Sequence, residues 1–173
     1  MEHKVNEIQI GYRERPGTLV SLSITNSKEV GELLYKNWNA DTIGLHETFT
    51  ILLLNQSNKV KGIYPLSHGG ITSTLVDMRI LFAIVLKTLS VGIVLAHNHP
   101  SGQLKPSEAD RQLTKKIQGA ALLFDIKVLD HIILAPDGRY YSFMDNGLVK
   151  KTYFKWMARC PKGSIGTKTA QSL

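Results

Sequence analysis

The chain carries a single cysteine, Cys160, among 173 residues. One thiol excludes an internal disulfide and any metal site assembled from several thiolates. No apolar stretch reaches the ~18 residues that a membrane span requires. The opening MEHKVNEIQIGYRERP lacks the continuous apolar segment of a secretory leader. These absences predict a cytosolic protein in a reducing compartment, with no membrane association. Negative charge is also missing from one end. No Asp or Glu follows Asp145, whereas Lys150, Lys151, Lys155, Arg159, Lys162 and Lys168 all do, and they supply all but one unit of the net charge of +7. The body of the protein is therefore nearly neutral. A basic tail of this kind either contacts nucleic-acid phosphates weakly or is simply a solvated terminus.

What remains is ordinary for a globular domain: 43% apolar and 20% charged residues, in a chain of a length that suits one compact unit. Residues 1–45 are expected to form a strand and a helix leading into the core, 46–147 the core itself, and 148–173 a basic, partly disordered tail. Residues 28–38 show helical spacing at Val30, Leu33, Leu34 and Trp38, with Ser27 as the expected N-cap. Residues 47–55 and 60–66 read as strands joined by the polar turn Gln56-Ser57-Asn58-Lys59, and a short strand is expected up to Leu75. Asp77 is placed to cap a helix reaching Leu89, apolar on most sides and so expected to be well buried. A strand over 91–99, a helix over 107–123 and a strand pair over 126–135 and 139–143 complete the pattern. The 107–123 helix carries an apolar stripe of Ala109, Leu113, Ile117 and Ala120. Strands with interspersed helices predict an α/β fold, with a mixed sheet flanked by helices.

The stretch VGIVLAHNHPSGQLKPSEAD, from Val91 to Asp110, raises a chemical question, because a strongly apolar strand ends in two histidines. Side chains alternate along a strand, so His97 and His99 share a face and Asn98 points the other way. Pro100 cannot continue a central strand, which puts the pair at a strand's C-terminal end, where α/β sheets place their sites. Asp110 follows in the first turn of a helix. Two imidazoles and a carboxylate suit Zn²⁺ and leave a fourth position for water, as catalytic sites do. A second reading of the same segment needs no metal: Ser107-Glu108-Ala109-Asp110 is an acidic variant of the capping box.

His-x-His, seven intervening residues, Ser, two residues and Asp is the motif of the JAMM (MPN/JAB) metalloproteases, and His97, His99, Ser107 and Asp110 match it without a gap. The surrounding HNHPSGQLKPSEADRQLT, with the later LDHIIL and YYSF, resembles the RadC branch of that family over about residues 45–147. The resemblance implies a layered JAMM/MPN sandwich related to that of cytidine deaminases. It implies a Zn²⁺ held by His97, His99 and Asp110 with water as fourth ligand, Ser107 stabilising an oxyanion, and a glutamate on an earlier strand acting as general base. Glu47 matches that last position. The substrate implied is a protein or peptide, cut at an amide bond.

Asp130 and His131 face opposite ways along their strand, so at most one reaches the site directly. His131 is either a support behind a ligand or a core or surface histidine. Arg79 and Ser101 are further candidates for substrate contact. Two departures stand out. RadC proteins usually carry an N-terminal helix-hairpin-helix segment, for which no room is expected here, and Val76-Asp77-Met78-Arg79 differs from the His-Pro-Arg-Glu common in the family. The letters His-Asn-His do not make an HNH nuclease, whose residues are spread over a ββα unit. A zinc deaminase would need a Cys-x-x-Cys pair. The remaining rival is a DNA-associated protein of RadC fold, acting in DNA repair or processing without protease activity.

Overall fold

The computed structural model describes residues 22–68 and 76–149. The short strand expected up to Leu75, most of the expected N-terminal strand and nearly all of the basic tail lie outside those residues. The described elements run α1 (Ser27–Lys36), β1 (Thr48–Leu54), β2 (Val60–His68), α2 (Met78–Lys87), β3 (Gly92–Asn98), α3 (Glu108–Leu122), β4 (Lys127–Leu134) and β5 (Tyr140–Ser142). The strands form one mixed sheet in the order β2-β1-β3-β4-β5. β1 is antiparallel to β2 and β3, β3 is parallel to β4, and β4 is antiparallel to β5. Parallel neighbours cannot be joined by a tight turn, so α3 crosses over between β3 and β4.

Both faces of the sheet are covered. Phe49, Ile51, Leu53, Ile93 and Leu95 pack with Leu81, Phe82 and Val85 of α2 and Ile117 and Ala121 of α3. Leu52, Leu54, Val94, Ala96, Ile132 and Leu134 pack on the other side with Val30, Leu33 and Leu34 of α1. The period-two alternation of β1 and β3 thus feeds two cores, and every residue of both strands is buried. The product is an α/β sandwich of three layers.

Three expectations need adjustment. The N-cap of α1 is Asn26, not Ser27. Its side chain accepts from the amide of Glu29, whose carboxylate reaches back to the Thr25 amide at 2.8 Å. α2 is not buried all round: Ile80 and Leu86 are 50% and 43% exposed. It lies on the outside of a layer, so only the face carrying Leu81, Phe82 and Val85 meets the sheet. The expected stripe of α3 holds at Leu113, Ile117 and Ala120, which join or pack against the core, but Ala109 is exposed and the buried face also takes in Thr114 and Ala121.

Asn98 ends the β3 row that faces α1, and it is wholly buried. Its amide nitrogen donates to the carbonyls of Ile43 (2.6 Å) and His46 (2.8 Å), and its side-chain oxygen accepts from the Thr48 amide (2.7 Å). One side chain thereby holds the 43–48 segment against the end of β3. The ladder between β1 and β3 begins only at Phe49 and His97, so the side chain substitutes for it at this end. Asn98→Ala should cost at least about 2 kcal/mol of unfolding free energy, since it strips partners from a buried donor and two acceptors. Urea denaturation checks this, and a variant as stable as the parent would show that water replaces the clamp.

Candidate metal centre

The same strand end builds the opposite face. His97 continues the row Ile93-Leu95 and is 4% exposed, and His99 follows just past the strand. Their Nε2 atoms lie 2.9 Å apart. Asp110, in the first turn of α3, brings Oδ1 to 3.3 Å from His97 Nε2 and Oδ2 to 3.9 Å from His99 Nε2. One ligand atom from each of the three residues lies within 4.8 Å of the others, a cluster able to hold a metal ion. The spacing expected from the sequence thus brings His97, His99 and Asp110 together.

The helix-cap reading of Ser107 and Asp110 is also realised. Ser107 Oγ accepts from the Asp110 amide (3.1 Å), while the Ser107 amide (2.7 Å) and hydroxyl (2.6 Å) both donate to Asp110 Oδ2. The two readings divide the carboxylate between them. Oδ2 closes the capping box, and Oδ1 turns to His97. The Ser107 proton is spent on Asp110, so an oxyanion role requires that hydroxyl to exchange partners.

The donor set fits a divalent ion of the zinc type. His99 Nδ1 lies 2.6 Å from the carbonyl oxygen of Gln103, which can only accept, so Nδ1 carries a proton and Nε2 is the nitrogen turned to the cluster. Neutral imidazole is what coordination requires. Burial supplies it at His97, whose pKa falls to about 4: desolvation dominates, Asp110 opposes it, and His99 adds to it. His131 is held well below the usual histidine range by burial first, then by His97 and His99.

Glu47 immediately precedes β1 and is partly buried. Burial raises its pKa, His99 lowers it and Asp110 raises it, so the electrostatic neighbours of Glu47 are two members of the cluster. The Asn98 clamp holds the backbone on both sides of it. Arg79 instead pairs with Asp77 at 2.6 Å, with its side chain 91% exposed. Ser101 is exposed in the loop after β3, where its hydroxyl accepts from the Gln103 amide at 3.4 Å.

His131 is a buried histidine that lies directly behind His97. Its Nε2 lies 2.8 Å from His97 Nδ1 and its Nδ1 lies 2.7 Å from Thr114 Oγ1. Its ring stacks on Phe143, with centroids 4.6 Å apart, and meets Phe49 edge-on at 5.6 Å. Asp130 points elsewhere, accepting from Ser142 Oγ (2.6 Å) and the Met144 amide (2.8 Å). Thr114 was not expected at the site. A polar residue in an amphipathic helix reads as solvent-facing, and only a buried partner across the core would have marked it.

A family model described as the RadC-like JAB domain matches residues 24–148, so the match takes in α1 as well as the motif region. Among curated proteins, a UPF0758 protein of Flavobacterium johnsoniae is 43% identical over 147 residues, covering 83% of this chain and 62% of the relative. UPF0758 proteins of Porphyromonas gingivalis and Symbiobacterium thermophilum are 46% and 33% identical over 103 and 142 residues, covering 60% and 82% of this chain. Those two matches span 45% and 59% of the relatives' own lengths. No helix among the described residues is long and apolar enough to cross a membrane. With the family match spanning α1, the sheet and the His97-His99-Asp110 cluster alike, the chain belongs to the RadC-like JAB domain family, a branch of the JAMM/MPN fold.

Proposed function

We propose that this protein is a zinc-dependent hydrolase of peptide or isopeptide bonds. The observation that carries the reading is the convergence of His97 Nε2, His99 Nε2 and an Asp110 carboxylate oxygen at the end of β3, with Glu47 as electrostatic neighbour. His97, His99 and Asp110 would hold the ion. When bound, Zn²⁺ lowers the pKa of water to near ~7 and polarises a carbonyl. The rest falls to the chain's own residues. The Glu47 carboxylate takes a proton from the attacking water, whose oxygen bonds to the amide carbon. The C–N bond then breaks, and Glu47 returns the proton to the leaving nitrogen. Partial burial supports this role, since a carboxylate with a raised pKa is a better proton acceptor than a fully solvated one. Ser107, if it releases Asp110 Oδ2, donates to the oxygen that gains charge.

Purified protein should bind about one Zn²⁺ per chain. His99→Ala removes a ligand whose side chain sits at the rim, against the Gln103 carbonyl and the His97 ring, so it should strip most of the metal with little loss of fold. Elemental analysis and zinc titration check this, and a wild-type protein that neither carries nor takes up metal sinks the hydrolase reading.

A second comparison separates holding metal from moving protons. Glu47→Gln should keep zinc and lose hydrolysis by ~10²–10⁴, the usual worth of a general base. Asp110→Asn should lose both, because an amide is a poorer ligand. The assay is a screen of peptide and isopeptide-linked substrates with and without chelator. Full activity in Glu47→Gln would put the base elsewhere. Salt-sensitive DNA affinity without any cleavage would favour the DNA-associated reading.

A further inference from the structure

His97 lacks the device that sets the tautomer of His99. Among the described residues its Nδ1 meets another imidazole and not a backbone carbonyl, and an imidazole nitrogen can be donor or acceptor. The direction of that bond decides whether His97 can bind a metal. If Nδ1 donates, Nε2 is bare and can coordinate; if Nδ1 accepts, the ring proton sits on Nε2 and blocks it.

The hydrogen bonds behind His97 settle the direction from the far end. Thr114 Oγ1 lies 2.6 Å from the carbonyl oxygen of Asp110, and a carbonyl only accepts, so the single hydroxyl proton of Thr114 is committed there. At the 2.7 Å contact with His131, Thr114 must therefore accept, and His131 Nδ1 carries a proton. His131 is 0% exposed, its ring lies between those of Phe49 and Phe143, and among the described residues the ring nitrogens meet only His97 and Thr114, while the Asp130 carboxylate takes the backbone amide instead. A second proton would place an unpaired charge in that apolar setting. With one proton, on Nδ1, its Nε2 is bare and accepts from His97 Nδ1 at 2.8 Å. His97 Nε2 is left with its lone pair turned towards His99 Nε2 and Asp110 Oδ1.

We propose that Thr114 and His131 are positioning residues that preset His97 as the Nδ1–H tautomer, through a relay anchored on the backbone carbonyl of the ligand residue Asp110. This rests on the metal-site reading above and adds the residues that prepare it. Asp110 then acts twice, its carboxylate facing the ion and its carbonyl fixing the ring opposite. The docking of α3 and the tautomer of His97 are set together. His99, at the rim, uses the Gln103 carbonyl for the same purpose. His97, inside the core, sits in a strand whose backbone is paired with β1 and β4, and needs side chains to do it.

The experiment uses the full chain, labelled with ¹⁵N, with Zn²⁺ alone as probe. Imidazole nitrogen shifts report which ring nitrogen of each histidine bears hydrogen, and competition with a chromophoric chelator gives zinc affinity. His131 should be Nδ1–H in both the metal-free and the zinc-loaded protein. Thr114→Val, which removes the acceptor, should weaken zinc binding roughly 10–100-fold, the usual effect of losing a partner behind a ligand. Thr114→Ser, which restores the hydroxyl, should bind close to wild type. A metal-free wild type with His131 protonated on Nε2, switching only on loading, would overturn the relay while leaving the metal site intact. So would equal zinc affinity in the Val and wild-type proteins. Failure of wild type to bind zinc would instead overturn the metal reading. The wild-type shifts and the Ser variant judge the relay even if Thr114→Val does not fold.

Discussion

Everything at this site depends on the last residues of one strand being held in register on both sides. β3 is buried along its whole length, antiparallel to β1 and parallel to β4, with His97 paired to Phe49 and Ile133. Because its faces alternate, the pleat that sends His97 towards the metal side sends Asn98 towards α1. His97 becomes a ligand candidate, and Asn98 becomes the clamp that holds the segment bearing Glu47. A slip of one residue would exchange their roles and destroy both. Register here is a functional constraint, enforced by the apolar rows Ile93-Leu95 and Val94-Ala96, which belong to two different cores.

Economy at Asp110 follows from the geometry of helix starts. A helix's first amides lack intrahelical partners, and an acidic N3 side chain reaching back to the N-cap satisfies one. That bond uses one carboxylate oxygen and aims the other. The cap thereby supplies rigidity that a coordinating carboxylate otherwise has to obtain from additional residues. The same turn offers the Asp110 carbonyl to Thr114 one turn later, tying the candidate ligand to the interior of α3.

The electrostatic character of the site comes chiefly from burial. Desolvation is the largest influence on His97, His131 and Glu47, pushing the histidines down and the glutamate up. Each shift favours the uncharged form. For the histidines, that is the form that coordinates or supports coordination. The protein thus prepares its donors by withholding water, with Phe49 and Phe143 closing on His131.

Local pattern in the chain was enough to find most of this. The helix and strand periods, the Asp77 cap, the shared face of His97 and His99 and the placing of Asp110 in a first helical turn all depend on residues close in sequence. So does the opposition of Asp130 and His131. Which of that pair reaches the site was not legible. In β4 the pairing with β3 shifts between Ile93–Val128 and Val94–Asp130, leaving Leu129 as an extra residue. Val128 lies in the α2/α3 core; without the shift Asp130 would share its face, and with it His131 does. Thr114 was hidden for a related reason, since the rotation of α3 is set by how the helix docks on β4. Periodicity along one segment marked His97, His99 and Asp110 as candidates, and the family motif added Ser107 and Glu47. Pairing between strands and docking between layers decided which of them face the site, because a bulge or a helix rotation belongs to two segments at once and to the sequence of neither alone.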